Sequence, residues 1–195
     1  MDFEARYAAG YDLWGTGKIR DPYEMMRQVL QGLDIPAAVM GRAVEARMER
    51  IRKALYGIDD KKLVLLKSLR EGGYKTALIS NADIADIYYW QGAPLGRCFD
   101  EVIFSYHEGL LKPDPRIYRL AAERLQVLPE LCCYVGDGGH GELGGARAVG
   151  MTTVLTTEYI RHIWPEKIPA LGENADYTVE SLDAIATLIL DGNAQ

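Results

Sequence analysis

The spacing of hydrophobic and polar positions changes period near residue 59. Before that point it predicts amphipathic helices. Asp21-Pro22 supplies a cap residue followed by proline at the first helical position, and Met25, Met26, Val29 and Leu30 then recur at helical spacing, which predicts a helix over 22–32. Pro36 opens a longer helix in which Val39, Met40, Val44, Met48, Ile51 and Leu55 form an apolar stripe, while Arg42, Glu45, Arg47, Glu49, Arg50 and Arg52 face elsewhere. The stripe reads as core packing and the charged face as solvated surface. After residue 59, short apolar runs alternate with helical segments. Strands are expected at 74–80, 101–105, 131–136, 151–157 and 176–180, and helices at 60–70, 82–90, 115–126, 142–149 and 181–190. Strands alternating with helices of that length need crossover connections. The pattern therefore predicts an α/β fold with a Rossmann-like, doubly wound parallel sheet over 59–195, preceded by a helical segment over 1–58.

Composition narrows the function. A chain of 195 residues, 48% apolar and 26% charged, supports one core with a small appendage. The net charge of −6 argues against a nucleic-acid surface and leaves room for a small anionic substrate held by local charge. No apolar run approaches the roughly 20 residues that a membrane helix needs. The opening Met-Asp-Phe-Glu-Ala-Arg has neither a basic leader nor an apolar signal segment, so a cytoplasmic protein without a membrane partner is expected. Cys98, Cys132 and Cys133 form no metal-ligand spacing and no disulfide framework, and the adjacent pair is expected to pack in a buried strand.

In a doubly wound sheet, ligands bind beyond the carboxyl ends of the strands, so the residues that follow each strand carry the chemistry. Ser80 and Asn81 offer a hydroxyl and an amide at the start of a helix, where an anion finds hydrogen-bond donors. Ser80, Asn81 or Asp83 could equally cap that helix. Lys112 lies before Pro113 in a turn between a strand and a helix, where a cation would neutralise a bound phosphoryl group. Asp137 and Glu142 flank a glycine-rich loop and suit a hard divalent cation such as magnesium; a flexible loop with incidental acids is the alternative.

Three ordered segments, Leu-Ile-Ser-Asn (78–81), Leu-Lys-Pro-Asp-Pro-Arg-Ile-Tyr (111–118) and Val-Gly-Asp-Gly-Gly-His-Gly-Glu-Leu-Gly-Gly-Ala (135–146), resemble the second, third and fourth motifs of the haloacid dehalogenase superfamily. The resemblance implies that Ser80 binds the transferring phosphoryl group, that Lys112 holds it against the nucleophile, and that Asp137 with Glu142 anchors magnesium. The helices before residue 58 resemble part of that superfamily's helical cap. The superfamily's opening strand, which ends in Asp-x-Asp and bears the nucleophile, has no counterpart here. The nearest string, Tyr11-Asp12-Leu13-Trp14-Gly15-Thr16, places Trp14 where the second aspartate belongs, and Asp12 is expected in a cap helix or loop.

By the superfamily's topology the absent strand is central, between those at 74–80 and 131–136. These are therefore expected either to pair directly or to be covered by another chain, and a homo-oligomer is expected. Without the aspartate nucleophile, the leading reading is a metal-dependent phosphoester hydrolase, acting on monoesters or diesters, that uses a metal-activated water. His140 could join Asp137 and Glu142 in a site suited to manganese or zinc, with His107 and Glu108 contributing. The alternatives are a catalytically silent phosphate-binding or assembly module, and a fragment that needs its missing N-terminal segment. His162 and Trp164 read as packing residues, and Tyr88, Tyr89 and Trp90 as a cover for substrate or interface.

Overall fold

The computed structural model describes residues 3–190. In chain order it runs α1 (Phe3–Ala9), α2 (Tyr11–Trp14), α3 (Pro22–Val29), α4 (Ala37–Tyr56), α5 (Asp60–Glu71) and β1 (Ala77–Ser80). There follow α6 (Ile84–Ile87), β2 (Glu101–Phe104), α7 (Ser105–Glu108), α8 (Pro115–Leu125), β3 (Cys133–Gly136) and α9 (Glu142–Arg147). The last elements are β4 (Thr152–Thr156), α10 (Ile160–Ile163), α11 (Ile168–Gly172), β5 (Tyr177–Val179) and α12 (Asp183–Leu190). Every strand expected from the sequence is present, each shorter than its apolar run. The cap signals work as expected. The Asp21 carboxylate accepts from the Glu24 N–H with Pro22 at the first helical position, and Asp114 accepts from the Arg116 N–H with Pro115 in the same place.

The chain falls into two compact units, one gathering Met1–Ile58, Ile79–Arg97 and Val102–Leu111, the other Asp59–Leu78, Cys98–Glu101 and Lys112–Gln195. A break between Ile58 and Asp59 lies where the hydrophobic period changes, but neither unit is continuous in sequence. In the first, Trp14, Ile19, Met25 and Val29 form one buried cluster, and Met26, Val44, Met48 and Ala85 another, so α3 presents apolar residues to both. In the second, Leu143, Leu155 and Ile160 pack with the half-buried Tyr134, Ile168 and Leu171.

The strands form two sheets, β1-β2 and β3-β4-β5. The larger is parallel throughout, with Val135 opposite Val154 and Leu155 opposite Thr178, and α9 makes the crossover from β3 to β4. This is an α/β, Rossmann-like arrangement. The direct pairing of β1 with β3, one of the two outcomes expected from the absent central strand, is not found among the described residues. Cys132 falls before β3 and Cys133 within it, and both are half-buried rather than enclosed in the sheet; burial pushes the Cys133 thiol up to about 11. No helix among the described residues is long and apolar enough to cross a membrane.

One device appears twice in the second unit. Asp100, just before β2, accepts the Thr76 N–H at 2.7 Å and donates its own N–H to the Thr76 carbonyl at 2.8 Å. Asp176, just before β5, accepts from both the Thr153 N–H (2.8 Å) and hydroxyl (2.9 Å) and donates its N–H to the Thr153 carbonyl. Each clamp ties the amino end of a strand to its neighbour and satisfies backbone groups that would otherwise be orphaned at the strand start. The Thr76 and Thr153 amides hold both carboxyls below the usual carboxylate range. A group whose folded pKa is depressed adds stability above the unfolded value near 3.9 and loses it as pH falls through the folded value. Asp100→Asn and Asp176→Asn should each cost about 1 kcal/mol at pH 7, since both side chains are partly solvated. Urea denaturation at pH 7 and again near pH 3 checks this: the gap to the parent protein should narrow at the lower pH.

Candidate functional site

The β3 segment ends at Gly136, and the chain then turns through Asp137 and a run of left-handed residues before α9 starts at Glu142: Gly138 has φ 83°, His140 54° and Gly141 68°. This turn folds the Glu142 side chain back under the strand end. A Cβ at position 136 would collide with the Glu142 carboxylate, so the close approach requires glycine there. Glu142 is only 4% exposed. Its Oε2 accepts from the Lys112 ammonium at 2.5 Å and from the Tyr134 hydroxyl at 2.7 Å, and its Oε1 accepts from the Gly138 N–H at 3.1 Å.

Each member of this cluster is held from outside it. The Lys112 Nζ also donates to the Tyr134 oxygen at 3.2 Å. Tyr118 of α8, fully buried, packs its ring edge-on to Tyr134 at 5.3 Å and donates its hydroxyl to the Glu142 carbonyl at 2.8 Å. Burial, reinforced by the Glu142 charge, pushes the Tyr118 and Tyr134 phenols well above their usual range, so both remain donors. The result is a buried ion pair in which the carboxylate oxygens are satisfied and the ammonium is fixed at the carboxyl end of β3.

Asp137 is exposed, and its Oδ1 accepts from the Gly139 N–H of its own loop at 2.9 Å. His140 is exposed on the left-handed turn. Among the described residues no group of three or more His, Cys, Asp or Glu side chains that could hold a metal ion is present. Both Glu142 oxygens are already met by three donors, one of them the Gly138 amide of the loop itself. His107 is likewise outside any such group; it is exposed and its ring meets Phe104 and Tyr106 edge-on.

Ser80 and Asn81 belong to the other unit, at the end of β1. The capping alternative falls to Asp83. Its Oδ1 accepts from the Ala85 N–H at 2.8 Å, while the Asp86 carboxylate accepts from the Asp83 N–H at 3.1 Å, a reciprocal capping box. Neither Ser80 nor Asn81 is needed as the cap of α6. The Ser105 hydroxyl, fully buried, accepts from the Ala82 N–H at 2.9 Å and fixes the turn that follows them. Asp12 lies in the short helix α2, largely solvated and 3.6 Å from the Lys18 ammonium.

An ionic cluster that sequence reasoning missed lies beside α6. Asp83 is fully buried. Its Oδ2 accepts from Arg47 at 2.6 Å and from the Tyr7 hydroxyl at 2.5 Å, and Arg47 also reaches Asp86 at 3.2 Å. Burial opposes the Arg47 charge, but Asp83, Tyr7 and Asp86 outweigh it and hold the guanidinium above its usual range. Arg47 was expected on the solvated face of its helix. Its spacing from Val44 and Ile51 is three and four residues, which places it within the apolar stripe, and that was the available signal. Two further expectations change: His162 and Trp164 are exposed, with the Lys167 ammonium 4.4 Å above the Trp164 ring, whereas Trp90 packs edge-on against Phe104 at 5.1 Å.

Comparison with known proteins places this arrangement. A family model described as haloacid dehalogenase-like hydrolase matches residues 2–150. Haloacid dehalogenase-like hydrolase domain-containing protein 3 of Bos taurus is 40% identical over 92 residues, 46% of this chain and 36% of that protein. Phosphoserine phosphatase of Thermus thermophilus is 34% identical over 125 residues, 63% of this chain and 49% of that enzyme. The chain thus spans less than half the length of either relative. Among solved structures, a hydrolase from Deinococcus radiodurans with bound phosphate and sodium superposes with a TM-score of 0.62 at 24% identity, covering 87% of this chain and 76% of that one. An enzyme from Bacteroides thetaiotaomicron in complex with magnesium and inorganic phosphate superposes with a TM-score of 0.55 at 19% identity, covering 79% and 84%. At these identities the two structures show a shared fold.

The buried pair makes a prediction about stability. Glu142→Ala leaves the Lys112 ammonium, 12% exposed, without its counter-charge and should cost about 3–5 kcal/mol. Tyr134→Phe removes two hydrogen bonds, one given to Glu142 and one received from Lys112, and should cost about 1–2 kcal/mol. Urea denaturation of both variants checks the ratio; equal losses would mean that the Tyr134 hydroxyl, not the Lys112 charge, is the partner on which the buried carboxylate depends.

Proposed function

The chain belongs to the haloacid dehalogenase-like hydrolase family, and from that premise we propose that it hydrolyses small phosphate esters. The observation that carries this reading is the Lys112 ammonium, held in place at the carboxyl end of β3 by Glu142 and Tyr134. A cation fixed in advance stabilises negative charge that grows on the phosphoryl oxygens, and it loses no energy to reorganisation during the reaction. Glu142 and Tyr134 act through Lys112 and are positioning residues. The motif resemblance makes Ser80 and Asn81 further candidate donors to a phosphoryl group, and the phosphatase relatives support a phosphorylated substrate.

Asp137 is the exposed carboxylate next to the β3 end. In this reading it accepts a proton from the attacking water, whose oxygen bonds to phosphorus as the ester P–O bond breaks and the leaving alkoxide takes up a proton. No step is assigned to a divalent ion, because the Glu142 oxygens are committed to three donors.

The test is phosphate release by the purified chain from a panel of monoesters and diesters, with added magnesium and again after chelation. Monoester hydrolysis is expected. It should fall by roughly 100-fold or more in Lys112→Ala and Asp137→Asn, and Ser80→Ala should raise KM more than it lowers kcat. Dependence on magnesium would mean that Glu142 releases Lys112 to join Asp137. Calorimetric binding of inorganic phosphate without release from any ester would replace this reading with that of a silent phosphate-binding module.

A further inference from the structure

A pocket of about 500 Å³ opens among α1, α3, α4 and the connection that leads into α4, entirely within the first unit, and none of the residues assigned to hydrolysis lines it. Its walls are apolar: Met26, Leu30 and Met40 lie on packed helix faces, while Phe3, Ile35 and Val39 keep 48%, 36% and 44% of their surface in solvent. Concave sites of this size lined by apolar side chains, with a few converging polar groups, are what small molecules occupy.

The polar lining has one sign. Among the described residues it consists of Tyr7, Arg47 and Arg50, with no carboxylate. The charge of Arg47 is already matched by Asp83 and Asp86. That of Arg50 is not. Its helical neighbours three and four residues away are Arg47, Ala46, Lys53 and Ala54, none of them acidic. A planar guanidinium at an apolar wall recognises an oxyanion by paired hydrogen bonds while the wall takes up carbon.

We propose that this pocket binds a small amphiphilic oxyanion, an alkyl or aromatic body carrying a carboxylate or a chemically similar head group, with the head on Arg50 and the body against α1, α3 and α4. The charge pattern favours this occupant over a second copy of the chain, since a lining with two guanidiniums and no acid is not complementary to itself. The occupancy is independent of the hydrolytic reading and needs no turnover.

The experiment is fluorescence titration of the intact chain with 8-anilinonaphthalene-1-sulfonate, followed by competition with decanoate, decyl phosphate and decanol. Decanoate or decyl phosphate should displace the probe at a concentration at least ten times lower than decanol. Arg50→Glu should weaken decanoate at least tenfold, and Ala43→Trp, which fills the pocket from an exposed position, should abolish displaceable binding. Circular dichroism establishes that both variants remain folded. Equal competition by decanol, or unchanged decanoate affinity in both variants, overturns the proposal. So does self-association in sedimentation that Ala43→Trp abolishes while no anion binds, which would assign the face to a second copy.

Discussion

A carboxylate buried beneath the end of a strand dictates the local structure around it. An unpaired Glu142 at that depth would be untenable, since an ion removed from water costs several kcal/mol unless its oxygens are met by donors. The donors come from three places in the chain: the Lys112 ammonium before α8, the Tyr134 hydroxyl inside β3, and the Gly138 amide in the turn. Each imposes a condition. Position 136 can carry no side chain, the backbone must turn left-handed at Gly138, and α9 must begin at the glutamate itself. The glycine-rich loop is therefore the shape required to return one carboxylate to one lysine, and ion binding is not needed to explain it.

The helical unit uses the same physics with arginine in place of lysine. Asp83 follows β1 by three residues and is fully buried, and Arg47, from a helix more than thirty positions earlier, closes on it together with Tyr7. In both clusters a tyrosine hydroxyl donates to the same carboxylate oxygen that accepts from the cation. Such pairs add little net stability over apolar residues of the same size. What they supply is a penalty for any arrangement in which the partners part, and so they fix the residues that follow β1 and β3.

The order of strands and helices was legible because alternation of short apolar runs with helical segments leaves few arrangements, and the capped starts at Pro22 and Pro115 are local chemistry. The division into two sheets was half legible: the sequence reading that found no Asp-x-Asp strand raised the question of how β1 and β3 are covered, and among the described residues β1 pairs with β2. The clusters were not legible. Tyr134 sits in an apolar run where an aromatic residue reads as packing, and Arg47 sits in a charged run that reads as solvent. Glu142 was found as a candidate site residue, but its lysine and tyrosine partners were not, because spacing in a loop tells which residues are close in sequence, not which way a carboxylate turns.

The partner matters for the chemistry. One carboxylate cannot neutralise a buried ammonium and coordinate a dication at full strength at once, because both draw on the same lone pairs and the same negative charge. With Glu142 on Lys112, the ammonium is localised and its field is partly cancelled at short range. The position of the ammonium is therefore set by the protein before any anion arrives, and the Tyr134 hydroxyl, held protonated by burial, completes the contacts of the carboxylate that holds it.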